Sequence, residues 1–309
     1  MKVSLVSTVK DAGPNVHDFL ASLHAQTRRP DETIVVDGGS TDGSLEALKD
    51  DPTITAISEP GASISRGRNV AIESAAHDVI AVTDADCVLD ADWLERLLAP
   101  LERGGADVVA GFYRPLAKAP WQVWASAHIP DADEIGPGWL PSSRSIAFRR
   151  EAWKAAGRYP EWLEVGEDMY FNHRLVKAGC RIVHAPDAVV GWHVRPTLAA
   201  TWRQYARYAE GDAVAGMYAA RHAVRFGAYG LAAVALATRN RALLAATVLG
   251  AAAYTSRPIR RAMGRSSSAV AKATSVVGVP AMTAFIDAAK MTGFLRGSIA
   301  ARRSEAEQA

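Results

Sequence analysis

The chain reads as an α/β protein built on a mostly parallel sheet, with an apolar, basic helical region after it. Three observations predict this. Short β-branched runs alternate with helical stripes through residues 2–113, and acidic turns stand at the ends of two of those runs. Beyond Leu198 the composition changes to alanine-rich stretches flanked by arginine. Strands alternating with helices imply parallel pairing with right-handed crossovers.

Taken in order, residues 2–9 read as a strand. Residues 14–26 place Val16, Phe19, Leu20 and Leu23 at helical spacing and open on Pro14, which suits a first turn. Residues 33–36 form a buried strand, 43–49 a helix, 54–57 a strand and 65–76 a helix. The run Val79-Ile80-Ala81-Val82 is short and apolar, as a buried strand should be. Residues 92–101 are helical with Asp90 or Asp92 as cap, and 107–113 return to strand. Residues 117–141, rich in Trp and Pro, are expected to be irregular and to serve as a mobile substrate loop. Residues 151–156 begin a helix, 168–178 make a better one, and 181–184 and 188–192 read as two late strands.

Composition sets the frame. A chain of 309 residues with 49% hydrophobic content can bury one large core or two. Cys87 and Cys180 make no disulfide framework, which fits a reducing compartment. Residues 1–13 do not have the make-up of a secretory signal. The net charge of +2 hides an asymmetry: residues 226–309 hold 11 Lys+Arg against 3 Asp+Glu, and residues 1–225 hold 24 against 30. The basic side chains of the tail flank apolar stretches with few aromatics. That pattern points to an anionic membrane surface and away from nucleic acid.

Within the tail, residues 202–218 form an amphipathic helix in which Trp202, Tyr205, Tyr208 and Tyr218 interleave with Arg203, Arg207 and Glu210. Two apolar segments follow, 226–238 and 242–254, split by Arg239-Asn240-Arg241; each falls short of the roughly 20 residues needed to span a bilayer. A third, 275–286, is interrupted by Pro280. The preferred reading is a re-entrant or interfacial hairpin with Arg257, Arg260, Arg261 and Arg265 facing anionic lipid. A small soluble helical subdomain is the alternative. A two-helix span would carry Arg239 and Arg241 across the membrane, against the positive-inside bias. The expected organisation is therefore an α/β domain over 1–200, an amphipathic interfacial helix over 201–225, and a membrane-associated helical region over 226–309.

The residues that could carry chemistry stand at strand ends. Thr83-Asp84-Ala85-Asp86 closes the run 79–82, so two acids at i, i+2 can offer hard oxygen ligands at the crevice where open α/β sheets bind ligands. Alone, such a pair is as readily a solvated turn or a helix cap. A second acidic turn, Asp37-Gly38-Gly39-Ser40-Thr41-Asp42-Gly43, follows 33–36, and the two together suggest a site for a metal and a nucleotide phosphate. Glu167-Asp168 precedes a helix, where an acid is also good capping chemistry.

Five stretches in order carry a resemblance: Val3-Ser4-Leu5-Val6-Ser7-Thr8, residues 30–43, residues 61–69 with Arg66-Gly67-Arg68-Asn69, Thr83-Asp84-Ala85-Asp86, and Gly166-Glu167-Asp168. Over residues 1 to 200 the chain resembles a membrane-associated family 2 glycosyltransferase of the GT-A fold, of the kind found in bacterial cell-envelope and exopolysaccharide assembly. The tail lies outside the resemblance.

That resemblance implies an inverting, metal-dependent transfer of a sugar from a nucleotide-diphosphate donor, with UDP favoured. It assigns Asp86 as direct ligand to Mn²⁺ or Mg²⁺, Asp84 as a nucleotide contact, and His193 as completing the metal shell. Thr8, Asp11, Asp37 and Arg68 would contact the donor. Asp168 would be the base that takes the acceptor hydroxyl's proton. Glu167, Arg195, Tyr205 and Arg207 would touch acceptor or phosphate. The chain departs from the family where Gly38 replaces a second acid and where Val9-Lys10 replaces a Tyr-Asn pair, both positions expected to read the base. The implied acceptor is a lipid or lipid-linked glycan at the cytoplasmic membrane face. Two competing readings use the same residues: a nucleotidyl or sugar-phosphate transferase, which needs no base at Asp168, and a membrane module that binds nucleotide-sugar without turnover.

Overall fold

The computed structural model describes residues 1–136 and 138–308, with side chains through Arg303. Pro137, inside the segment expected to be irregular, and Ala309, at the end of the tail, lie outside the described residues. The chain divides into two compact units, one of Met1–Leu116 with Asp131–His193 and one of Ala117–Pro130 with Val194–Ala309.

The first unit holds strands β1 (Val3–Val9), β2 (Glu32–Asp37), β3 (Thr55–Ser58), β4 (Val79–Val82), β5 (Cys87–Leu89), β6 (Val108–Leu116), β7 (Ile146–Arg149) and β8 (Ile182–His193). They form one sheet in the order β3-β2-β1-β4-β7-β6-β8-β5. Pairings β1–β2, β1–β4, β2–β3 and β6–β8 are parallel, whereas β7 runs antiparallel to both β4 and β6, and β5 antiparallel to β8. The sheet is thus more mixed than the sequence implies, because β5 and β7 are too short to announce themselves. The two late strands expected over 181–192 are one continuous β8. Its ladder with β6 slips at a bulge between Ala110 and Phe112, where a Cβ on Gly111 would collide with Ser145 Oγ.

Strands β1, β2 and β4 are apolar on both faces because helices cover both, as in parallel sheets generally. The covering helices include α1 (Asn15–His24), α2 (Ser44–Lys49), α3 (Ile64–Ser74) and α4 (Trp93–Glu102). Ile34, Ile80, Phe148, Trp153 and Phe171 lie in the core on one side. The chain steps outward from β1 through β2 to β3, and α3 then returns it to place β4 on the other side of β1. That reversal opens a crevice at the carboxyl ends of β1, β2 and β4, where ligands bind in open α/β sheets.

The second unit consists of α5 (Pro120–Ser126), α8 (Leu198–Val214), α9 (Ala219–Thr238), α10 (Arg241–Arg265) and α11 (Ala269–Gln308). The segment expected to be irregular thus contains a helix; Pro120 sits in its first turn, and the Gln122 side chain accepts from the Lys118 and Ala119 amides. Helix α11 continues through Pro280, although an interior proline costs about 3 kcal/mol. Burial of Val279, Met282 and Ile286 against Ala125, Ala127 and Ala262 offsets that cost. Asn240 caps α10 by accepting from the Ala242 and Leu243 amides, so Arg239-Asn240-Arg241 is a tight hairpin turn.

Two contacts between buried or half-buried polar groups tie this unit together. Arg225 Nε meets Asp287 Oδ1 at 2.7 Å and His222 Nε2 meets Asp212 Oδ2 at 2.9 Å, tying α9 to α11 and α8. The expectation that four arginines face lipid needs correction. Arg261 donates to the Ala127 carbonyl (3.1 Å), and Arg265 to those of Ser126 (2.6 Å) and Ile129 (2.9 Å), where unpaired carbonyls end α5. Arg257 and Arg260 are exposed. So are large apolar side chains of the α9–α10 hairpin, among them Leu236 at 68%, Val248 at 66% and Leu249 at 69%. Over Ala269–Arg303, α11 is long and apolar enough to cross a membrane by length and composition, a property it shares with core helices of soluble proteins.

Candidate functional site

The loops at the carboxyl ends of β1 and β2 brace each other. Asp11, at φ +51°, accepts from the Thr41 amide (2.8 Å) and donates its own amide to Ser40 Oγ (2.9 Å), while Asp42 accepts from the Gly13 amide (2.6 Å). Asp37 is buried, and its carboxylate accepts from the Gly39 amide at 2.9 Å and the Ser40 amide at 3.1 Å. Its visible role is to shape this turn. A Cβ on Gly38 would stand 3.1 Å from the Ala62 carbonyl, so the backbone approaches closely there.

Asp84 and Asp86 enter at the end of β4. The Ala85 amide reaches the Thr8 carbonyl at 3.5 Å, which sets the acidic turn beside the end of β1. Helix α3 closes over the same edge. A Cβ on Gly67 would lie 2.8 Å from Thr8 Cγ2, so glycine is what lets the helix settle and carries Arg68 into the crevice.

Arg68 is 3% exposed and bridges two acids, donating to Asp84 Oδ1 at 2.8 Å and to Glu167 Oε1 at 2.7 Å. Burial opposes its charge, yet Asp84 and Glu167 outweigh burial and hold its pKa above the ordinary arginine value. Asn69 beside it is structural: its amide donates to the Tyr159 carbonyl and Glu161, and its oxygen accepts from Trp153 Nε1.

Glu167 and Asp168 occupy the first turn of α7 (Glu167–Lys177), whose cap is Gly166 at φ +85°. Asp168 is therefore not the cap. Its Oδ2 accepts from Ser142 Oγ at 3.2 Å and its Oδ1 from the Met169 amide at 2.8 Å. Burial, and then the neighbouring Asp168, push the Glu167 carboxyl above its ordinary value, against the pull of Arg68.

Ligand atoms of Asp84, Asp86 and Cys87 lie within 4.8 Å of one another. Burial, then Asp86 and Asp84, push the Cys87 thiol well above its ordinary pKa, and a thiol is in any case a soft donor. The two carboxylates are hard oxygen donors that suit Mg²⁺ or Mn²⁺. His193 is not in that group, but topology brings it near. The antiparallel register Cys87↔Trp192 places Asp86 opposite His193 one step beyond the ladder. Its Nε2 is buried, makes no hydrogen bond, and lies 3.7 Å from Asp18 Oδ2. The donor set fits a divalent cation.

Arg195, Tyr205 and Arg207 lie in the second unit. Arg195 offers its carbonyl to Gln122 Nε2 at 3.1 Å; Tyr205 lies under Lys290, whose Nζ is 5.1 Å from the ring centre; Arg207 is exposed on α8. Two residues of the first unit escaped the sequence reading. Arg144 approaches Asp84 Oδ2 with its Nε at 3.6 Å, and its Nη1 donates to Ser142 Oγ at 2.9 Å. Nothing in Pro141-Ser142-Ser143-Arg144 marks them by spacing; the return of the chain through β7 puts them there.

A sheet with an acidic turn at its switch point and a second acid pair across a buried arginine is of the GT-A class. The profile of Glycosyl transferase family 2 matches residues 4–161, and the chain belongs to that family. It is similar to the glycosyltransferase AglE of Haloferax volcanii, 27% identical over 62% of this chain and 66% of that one. The succinoglycan biosynthesis protein ExoA of Rhizobium meliloti is 29% identical over 58% and 59%. An N-acetylglucosaminyl-diphospho-decaprenol L-rhamnosyltransferase of Mycobacterium tuberculosis is 27% identical over 61% and 75%. The match thus spans somewhat less than two thirds of the first two relatives. Among solved structures, residues 1–349 of S. aureus TarS in complex with UDP-GlcNAc align with a TM-score of 0.55 at 19% identity, over 70% of this chain and 66% of that one, which supports the fold.

Proposed function

We propose that this chain is an inverting, metal-dependent glycosyltransferase. It moves a sugar from a nucleotide-diphosphate donor, UDP-linked in the first instance, to a hydroxyl of a lipid or lipid-linked glycan at the cytoplasmic membrane face. The observation that carries the reading is the convergence of Asp84, Asp86, Arg68, Glu167 and Asp168 at the sheet's switch point. Family membership, and relatives named for glycosyl transfer, support the reaction class. The exposed apolar hairpin and the rhamnosyltransferase relative's name support a lipid-linked acceptor.

In this reading Asp86 and Asp84, with His193 across the ladder, would hold a divalent cation that offsets charge gathering on the departing nucleoside diphosphate. The braced loops at Asp11 and Asp37 shape the nucleoside end of the crevice, with Thr8 beside Asp84. Arg68 fixes Asp84 and Glu167 so that neither drifts when a charged ligand enters. Asp168 takes the acceptor hydroxyl's proton as that oxygen attacks opposite the leaving group. The Ser142 hydroxyl and the Met169 amide donate to its two oxygens and fix the orientation of the carboxylate.

The test is a thermal-shift panel of nucleoside diphosphates with and without Mn²⁺. The reading expects a cation-dependent shift with at least one of them, and its loss in Asp86→Ala. An unchanged shift in that variant overturns the metal assignment. No shift with any nucleotide overturns the donor.

A further inference from the structure

Two arginines stand at Asp84, and they are held differently. Arg68 is buried between two carboxylates at 2.7 and 2.8 Å, so its forked donors are committed to holding the site together. Arg144 meets Asp84 at the longer distance of 3.6 Å and donates to a neutral hydroxyl, Ser142. Its guanidinium lies 5.1 Å from the ring centre of Trp192 and 5.4 Å from that of Tyr113. Two aromatic faces thus lie against the head within cation–π distance. A planar, permanently charged fork so placed suits phosphate oxygens.

Position completes the argument. Through Asp84, Arg144 touches the acidic turn at the end of β4; through Ser142, it touches the hydroxyl that donates to Asp168. It therefore stands between the acids proposed to hold the donor and the acid proposed as base, where the bond to the leaving diphosphate would break. We propose that Arg144 is a diphosphate-binding residue of the donor site, turning from Asp84 onto the phosphates when the nucleotide enters while Ser142 keeps it in register with Asp168. This rests on the donor reading above, and it separates the two arginines by role: Arg68 structural, Arg144 ligand-facing.

The experiment is isothermal titration of the full chain with three probes in Mg²⁺: UDP, inorganic pyrophosphate and uridine. In Arg144→Ala, loss of a charge-assisted contact raises the Kd for UDP and for pyrophosphate by about 10- to 100-fold. The Kd for uridine, which carries no phosphate, stays within about twofold. Arg144→Lys keeps the charge without the fork and loses about 3- to 10-fold on both phosphate probes, which keeps the test usable if the alanine variant folds poorly. Equal losses for uridine and UDP, or no loss with either phosphate probe, would show that Arg144 only neutralises Asp84, and would overturn the inference. If the wild type binds neither UDP nor pyrophosphate, the donor reading fails and this inference with it.

Discussion

Both compact units bury an arginine against carboxylates, but the balance of charge around it differs. In the helical unit Arg225 lies between Asp287 and His222, His222 meets Asp212, and Tyr229 donates to Asp287, a network that joins three helices. In the sheet unit Arg68 and Arg144 stand among Asp84, Asp86, Glu167 and Asp168, so carboxylates outnumber guanidiniums. Carboxylates gathered in a partly buried crevice repel one another, a cost that a bound cation would lower. A matched buried pair marks structure. A surplus of acid at a strand edge is what the metal-dependent function proposed above requires.

The sharpest way to break that contrast is to neutralise one acid in each unit. Asp287→Ala strands Arg225 in the helical unit and is expected to cost about 3 to 5 kcal/mol of stability, read by denaturant unfolding in detergent. Asp168→Asn removes no structural partner of an arginine. It should leave stability within about 1 kcal/mol and nucleotide binding within about twofold, while transfer falls by about 10²- to 10⁴-fold. Full nucleoside diphosphate release by Asp168→Asn would overturn Asp168 as the base; a sugar-phosphate or nucleotidyl transferase would instead release nucleoside monophosphate or pyrophosphate, equally in both forms. Transfer is measured as nucleoside diphosphate release, with the donor whose nucleotide gives the largest thermal shift.

Smaller effects sharpen the picture of how each unit is built. Gly67→Ala pushes a methyl toward Thr8 Cγ2 and should cost about 1 to 3 kcal/mol, with weaker nucleotide binding because Arg68 rides on the same helix. Val79→Ala, inside the sheet but away from the crevice, would lose stability alone, and comparing the two separates packing from site geometry. On the other unit, Leu236→Ser with Leu249→Ser touches exposed side chains, so stability should move by no more than about 0.5 kcal/mol per site. Flotation with vesicles containing anionic lipid should nonetheless weaken severalfold. Unchanged flotation would exclude this hairpin as the membrane contact.

How much was legible depended on length and locality. The acidic turns, the strands before them and the helix after Gly166 follow from a few consecutive residues, and the structure has them close to where the sequence places them. Strands β5 and β7 were not legible, because three or four residues give no period to read. The path of α11 through Pro280 contradicts a local rule, and tertiary burial decides it. Arg261 and Arg265 look like a lipid-facing basic cluster in sequence, yet they bond to carbonyls at the end of α5, more than 130 residues earlier in the chain.

What the chain's own chemistry determined is therefore the set of groups offered at the edge of the sheet: the acids of the β2 and β4 turns, the Arg68-Asn69 start of a helix, and the Glu167-Asp168 pair. Apolar strands and glycine turns specify those places through nearest neighbours, which is why they can be read in order. Only the tertiary structure decided how the groups share charge. It locked Arg68 between two acids, brought Arg144 and Ser142 in through a strand with no local signature, and set His193 opposite Asp86. Those relations span tens of residues and depend on burial, which no window of sequence contains.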